Sequence, residues 1–92
     1  MHTDESVLQA AAEFDRVMAA GGPDDALLDA SPSLDRWEVE PYAGHTRLSG
    51  VVYDHPYLPD GHLISTSLLI KMDRRNRWAR TLSRWYRLRH PK

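Results

Sequence analysis

The chain has no cysteine among its 92 residues. That excludes a disulfide framework, a cysteine-ligated zinc site and thiol chemistry. Long apolar runs are missing too. The longest stretch free of Asp, Glu, Lys and Arg is the ten residues from Gly61 to Ile70, about half of the roughly 20 apolar residues a membrane-spanning helix needs. There is no glycine-rich phosphate loop, no Gly-x-Ser-x-Gly and no His-Glu-x-x-His, and neither repeats nor low-complexity segments occur. The opening Met-His-Thr-Asp-Glu-Ser is acidic and runs into a helical pattern, unlike a secretory leader, so cytoplasmic residence is the expectation. The length suits one small domain, 1–92, rather than two.

What the chain has is charge, unevenly placed. The net charge is −1, yet residues 1–60 hold 12 acidic and 3 basic side chains, whereas residues 61–92 hold 1 acidic and 9 basic ones. Such polarity points to a charged partner. The plainer reading is that the two halves fold together and neutralise each other, since opposite charges within a Debye length already offset one another.

Periodicity separates a helical front, 1–33, from a β-rich back, 34–90. Val7, Leu8, Ala11, Phe14, Val17 and Met18 recur at the helical period over residues 4–20, with Thr3 or Asp4 as cap and Gly21-Gly22-Pro23 as terminator. A shorter helix over 24–29 follows, with Pro23 suited to its first position and Leu27 and Leu28 turned inward. From Leu34 the period becomes alternating: Trp37 and Val39 share one strand face until Pro41, and residues 46–53 form a second strand. Residues 55–61 form a turn. A third strand starts at His62 and continues through a bulge toward Met72, and Asp73–Asn76 reverses the chain, with Asn76 suited to a left-handed conformation. Residues 77–89 fit either a hairpin turning at Ser83-Arg84 or a basic amphipathic helix. The expected fold is α+β: an N-terminal helix and a short helix packed on a small antiparallel sheet of four to five strands. The helix face of Val7, Leu8, Ala11, Phe14 and Met18 is expected to meet Trp37, Val39, Leu48, Val52, Ile64 and 68–72.

The run Gly50-Val51, His55-Pro56-x-Leu58-x-Asp60-Gly61-x-x-Ile64-x-Thr66-Ser67 and then Trp78-Ala-Arg-Thr-Leu-Ser-Arg-Trp-Tyr-Arg-Leu88 resembles a family of small uncharacterised proteins, a domain of unknown function, over roughly residues 47–88. The resemblance implies an origin in alphaproteobacteria and their mobile elements. Its members tend to carry Gly where this chain has Arg84, which favours the hairpin, and Gly after the final Leu, where this chain has Arg89. It brings no activity with it.

Three constellations could carry function. The first is the arginine-aromatic run, Arg74, Arg75, Arg77, Arg80, Arg84, Trp85, Arg87 and Arg89, because guanidinium groups pair with phosphate oxygens and aromatic rings stack on bases. Its plainer role is a solvated outer sheet face with core tryptophans. The second is the acidic set Asp24, Asp25, Asp29, Asp35, Glu38 and Glu40, which could imitate a nucleic-acid backbone to a basic protein; helix N-termini and edge strands use carboxylates in any case. The third, Asp54, His55, Asp60 and His62, has metal-ligand chemistry but no established metal spacing, and local turn bonding explains it. Thr66, Ser67 and Ser83 lack a base placed by the sequence. The expectation is therefore a non-catalytic binding protein of mobile-element type with no cofactor. It would act on a nucleic-acid-handling complex, for example as an inhibitor of a host defence system such as CRISPR. The alternatives are a direct nucleic-acid-binding module using the Arg/Trp-rich C-terminal segment, or a small metal-binding or enzymatic domain.

Overall fold

The structure, a computed structural model, describes residues 4–92. Helix α1, Asp4–Ala19, carries Asp4 and Glu5 in its first turn, where carboxylates suit the positive end of the helix dipole. The other candidate cap, Thr3, lies outside the described residues. At the far end the Gly22 amide donates to the Val17 carbonyl (3.0 Å) and the Gly21 amide to that of Met18 (3.1 Å). Gly21 has φ +104° there, the left-handed C-terminal closure that glycine adopts without a steric penalty. Helix α2 is Asp25–Asp29, and its N-cap Asp24 accepts the Leu27 amide at 2.8 Å. Pro23 thus precedes the cap instead of opening the helix, because the Asp24 carboxylate takes the capping position.

Five strands follow: β1 Ser33–Tyr42, β2 His45–Tyr53, β3 His62–Asp73, β4 Trp78–Thr81 and β5 Trp85–Leu88. Each is antiparallel to the next, so the α+β class and the five-strand count agree with the sequence reading. The sheet also closes on itself: a short parallel contact, Ser33 with Arg87 and Leu34 with Leu88, joins β5 to β1 and makes a barrel. The C-terminal tail extends that seam, through Arg89 N to Leu34 O (2.8 Å) and Lys92 N to Trp37 O (2.9 Å). Residues 77–89 are a hairpin, with Trp78, Ala79 and Arg80 facing Arg87, Tyr86 and Trp85. In the reversal before it, the left-handed residue is Arg77 (φ +60°), not Asn76. Asn76 is held by two bonds to the Asp73 carboxylate, so the turn is completed one residue later. β3 does bend where a bulge was expected, with register shifts against both β2 and β4.

The barrel interior is filled by the strands themselves: Leu34, Trp37, Leu48, Val52, Ala79, Tyr86 and Leu88, with Ile64, Leu69 and Met72 against them. This corrects the expected helix docking. Val7 and Leu8 are 38% and 69% exposed, and Val39 is 37% exposed. With no interior space left, α1 lies on the outside of β4 and β5, where Phe14 stacks on Trp85 at 5.9 Å. Ala10 is its buried residue.

Trp37 reaches the interior through a β-bulge. Asp35 pairs with Val51 and Glu38 with Ser49, which leaves Arg36 and Trp37 opposite Gly50 alone. Arg36 takes φ +51° to make the kink. A Cβ on Gly50 would lie 3.0 Å from the Asp35 carbonyl oxygen and 3.2 Å from the Trp37 Cα. These neighbours are main chain, so they yield only by moving β1. Gly50→Ala should therefore destabilise the protein by about 1–3 kcal/mol in urea unfolding, and an unchanged midpoint would show that the bulge accommodates a methyl group.

Candidate functional site

The hairpin divides the arginine run between two environments. On the α1 side, Arg80 is 7% and Trp85 4% exposed. Glu13 from α1 reaches both: its Oε1 accepts the Trp85 indole N–H at 3.0 Å, and its Oε2 lies 3.4 Å from an Arg80 guanidinium nitrogen. Trp78 meets Trp85 edge to face at 5.4 Å. Burial holds the Arg80 pKa below its ordinary value, the Glu13 charge opposes that, and Arg84 reinforces it. These two members of the run therefore build the helix-barrel contact and expose little of their surface. Arg87 is partly engaged as well, with the Ser31 carbonyl and, at 3.3 Å, with Asp54. Part of the charge polarity is thus neutralised within the fold.

At the other end of β4 the picture differs. Arg74, Arg75, Arg77 and Arg89 are exposed, and none forms an ion pair among the described residues. Two of them are instead held by aromatic rings. The Arg74 guanidinium lies 5.3 Å from the centre of Trp37, and that of Arg89 lies 4.8 Å from the centre of Tyr53. Arg84, at the opposite turn, sits 5.7 Å from the Tyr57 ring. Arg74, Arg77 and Arg89 line a pocket of about 190 Å³ with Trp37, Leu88 and Pro91. The sequence showed these arginines as one run but not their division. Burial under α1 depends on a helix about 70 residues away in the chain, which no local pattern registers.

The acidic set does not assemble into one surface. Asp24 caps α2. Asp35 accepts the His90 amide at 3.1 Å; partial burial would raise its pKa, but that bond and the nearby Arg89 hold it below the ordinary value. Glu38 pairs with Lys92 at 3.1 Å. Glu40 pairs with Arg47 at 2.7 Å and accepts from Ser65, and both bonds lower its pKa. Asp25 and Asp29 remain exposed on α2.

Around the 54–61 turn, His55 Nδ1 accepts the amides of Tyr57 (3.0 Å) and Leu58 (3.2 Å), and Asp60 accepts that of Asp54 (2.8 Å). The imidazole lone pair is thereby committed to the backbone. No three His, Asp or Glu side chains among the described residues are grouped to hold a metal ion.

A family model described as a family of unknown function, DUF6634, matches residues 5–91. The chain belongs to that family. The match runs across both helices and all five strands, beyond the 47–88 region that carried the resemblance. No curated protein and no solved structure matches. No helix among the described residues of this DUF6634 chain is long and apolar enough to cross a membrane.

Two measurements test this geometry. Glu13→Ala leaves the buried Arg80 and the Trp85 indole without their partner and should cost about 1–3 kcal/mol in urea unfolding; a cost near zero would mean that α1 is not held by this contact. His55 titrates below its unfolded value, through burial and the charge of Arg84. Its contribution to stability is therefore complete above about pH 6.5 and is lost as pH falls through the folded pKa. Its ring protons should titrate by NMR with a midpoint below about 6.5, and His55→Ala should flatten the loss of stability on acidification.

Proposed function

We propose that the protein is a non-catalytic nucleic-acid-binding module whose exposed arginines, Arg74, Arg75, Arg77 and Arg89, contact backbone phosphates. The observation that supports this reading is the combination of exposure and free charge. Four guanidinium groups stand exposed with no ion pair among the described residues, the weaker influence of Asp35 on Arg89 aside. A cation left unpaired at a surface keeps its donors available for phosphate oxygens. The origin in alphaproteobacterial mobile elements that the resemblance implies belongs to the same reading, as a setting in which small proteins handle nucleic acid.

The other reading, an inhibitor of a nucleic-acid-handling complex such as a CRISPR system, would rely on the acidic set. Four of its six carboxylates already cap a helix or accept from groups of the chain itself, which leaves Asp25 and Asp29 as a small negative surface. The arginine end offers more uncompensated charge, and for that reason direct binding is preferred.

The test is a titration with labelled single- and double-stranded oligonucleotides at several salt concentrations, followed by anisotropy and by tryptophan fluorescence. Binding should weaken steeply with salt. The triple variant Arg74→Gln/Arg75→Gln/Arg77→Gln should reduce the log–log salt slope for single strands by about 2, since each phosphate contact contributes roughly 0.7. An unchanged slope and affinity in the triple variant would overturn the proposal.

A further inference from the structure

The arginine end has two sides that differ in charge. Towards the C-terminal tail, the pocket of about 190 Å³ is lined by Trp37, Arg74, Arg77, Leu88, Arg89 and Pro91, three arginines and no acidic residue. Towards α2, a neighbouring depression shares Arg77, Leu88 and Arg89 and adds Arg87 and His90, but also Asp25 and Asp29. Arginines are the only charged residues lining the first pocket, and the nearest acidic influence on them is Asp35 beside Arg89. A polyanion continuing from that pocket across Arg77 and Arg89 meets Arg87 there, but also the two aspartates, which oppose it.

From this asymmetry we infer that the pocket receives a terminal phosphate monoester, the phosphorylated end of a nucleic-acid strand, in preference to an internal diester. The inference rests on the nucleic-acid reading and narrows it. Charge supports the choice: a monoester carries about −1.5 to −2 at neutral pH, against −1 for a diester, and three arginines favour the larger charge. The cations are also set in advance. Arg74 over Trp37 and Arg89 over Tyr53 are held at 5.3 and 4.8 Å from the rings. Stacking on an aromatic face restrains a guanidinium while leaving its in-plane N–H donors unused.

The third arginine carries a different mark. Arg77 has φ +60°, where a side chain other than glycine is strained and where Asn or Gly is the usual occupant. Its carbonyl accepts the Leu88 amide at 2.9 Å, so pairing with the end of β5 enforces the conformation. Backbone strain of this kind collects at functional positions. Here it sits on a residue whose side chain borders the anion pocket.

The experiment compares one single-stranded oligonucleotide bearing a 5′-phosphate, a 3′-phosphate or hydroxyls at both ends, with inorganic phosphate as competitor and fluorescence and anisotropy as readouts. One phosphorylated form should bind about tenfold tighter than the hydroxyl form, a difference of one or two charge-assisted hydrogen bonds, and inorganic phosphate should remove the advantage. Arg77→Gly should abolish the preference while its unfolding midpoint stays at or above that of the parent protein, because the strain is relieved. Arg89→Gln should reduce the preference without that gain. Equal, salt-dependent affinity for all three strands overturns end recognition and leaves the nucleic-acid reading intact. Perturbation of the tryptophans by inorganic phosphate with no binding of any strand overturns the nucleic-acid reading and identifies the pocket as a site for a small phosphate. No response to phosphate or to strands overturns both.

Discussion

The structure depends on closing a five-strand sheet at a seam where β5 and the C-terminal tail run parallel to β1. Only two residue pairs of regular ladder join those strands, so the seam needs other support. Trp37 supplies it. Its ring lies in the core with Leu34 and Leu88, its indole N–H donates to the Arg89 carbonyl at 3.2 Å, and its main chain bonds to both His90 and Lys92. One side chain thus fills the barrel and ties down the tail. It faces inward only because β1 is kinked at Arg36 against Gly50. A strained arginine conformation and a glycine without a side chain are both consequences of putting a large ring at the point of closure.

Closure also explains why the helices sit where they do. A closed barrel of this size is filled by residues from its own strands, so the amphipathic helix cannot supply the core. It covers the outer face of the last hairpin instead, through one stacked ring and a polar contact in which Glu13 serves an indole and a guanidinium together. A buried arginine with one carboxylate is costly to desolvate, and here the cost is only partly offset, since Arg80 Nε and Glu13 Oε2 are buried without a hydrogen-bond partner. The outcome is a fold whose acidic front neutralises one end of its basic hairpin and leaves the other end free. Arg74, Arg77, Arg87 and Arg89 consequently lie together at one end, while Arg84 stands at the opposite turn and Arg80 is buried under α1.

Local chemistry was legible without the structure wherever a few neighbouring residues decide the conformation. The double glycine that ends α1, the bulged course of β3 and the chain reversal at Asp73–Asn76 all depend on residues within a few positions of one another, although the left-handed residue of that reversal is Arg77 and not Asn76. Alternation of apolar and polar side chains was enough for β1, β2 and β3. The same reasoning left residues 77–89 open between hairpin and helix, since Trp78, Leu82, Trp85 and Leu88 satisfy both periods. Pairing of Ala79 with Tyr86, and of β5 with β1, removes that ambiguity, and those partners are set by the whole sheet.

The candidate site divides along the same line. That arginines and aromatic rings occur together in the last third of the chain is a property of sequence alone, and so is the polarity of charge between its halves. Which arginines are free is a tertiary property. Arg80 is covered because α1, far away in sequence, brings Glu13 to it, whereas Arg74 and Arg89 stay uncovered because rings from β1 and β2, Trp37 and Tyr53, hold them without neutralising them. Periodicity reports the direction in which a side chain points along its own strand or helix. It carries no information on what stands opposite, and for a charged group the partner opposite decides whether it is spent inside the fold or left for another molecule.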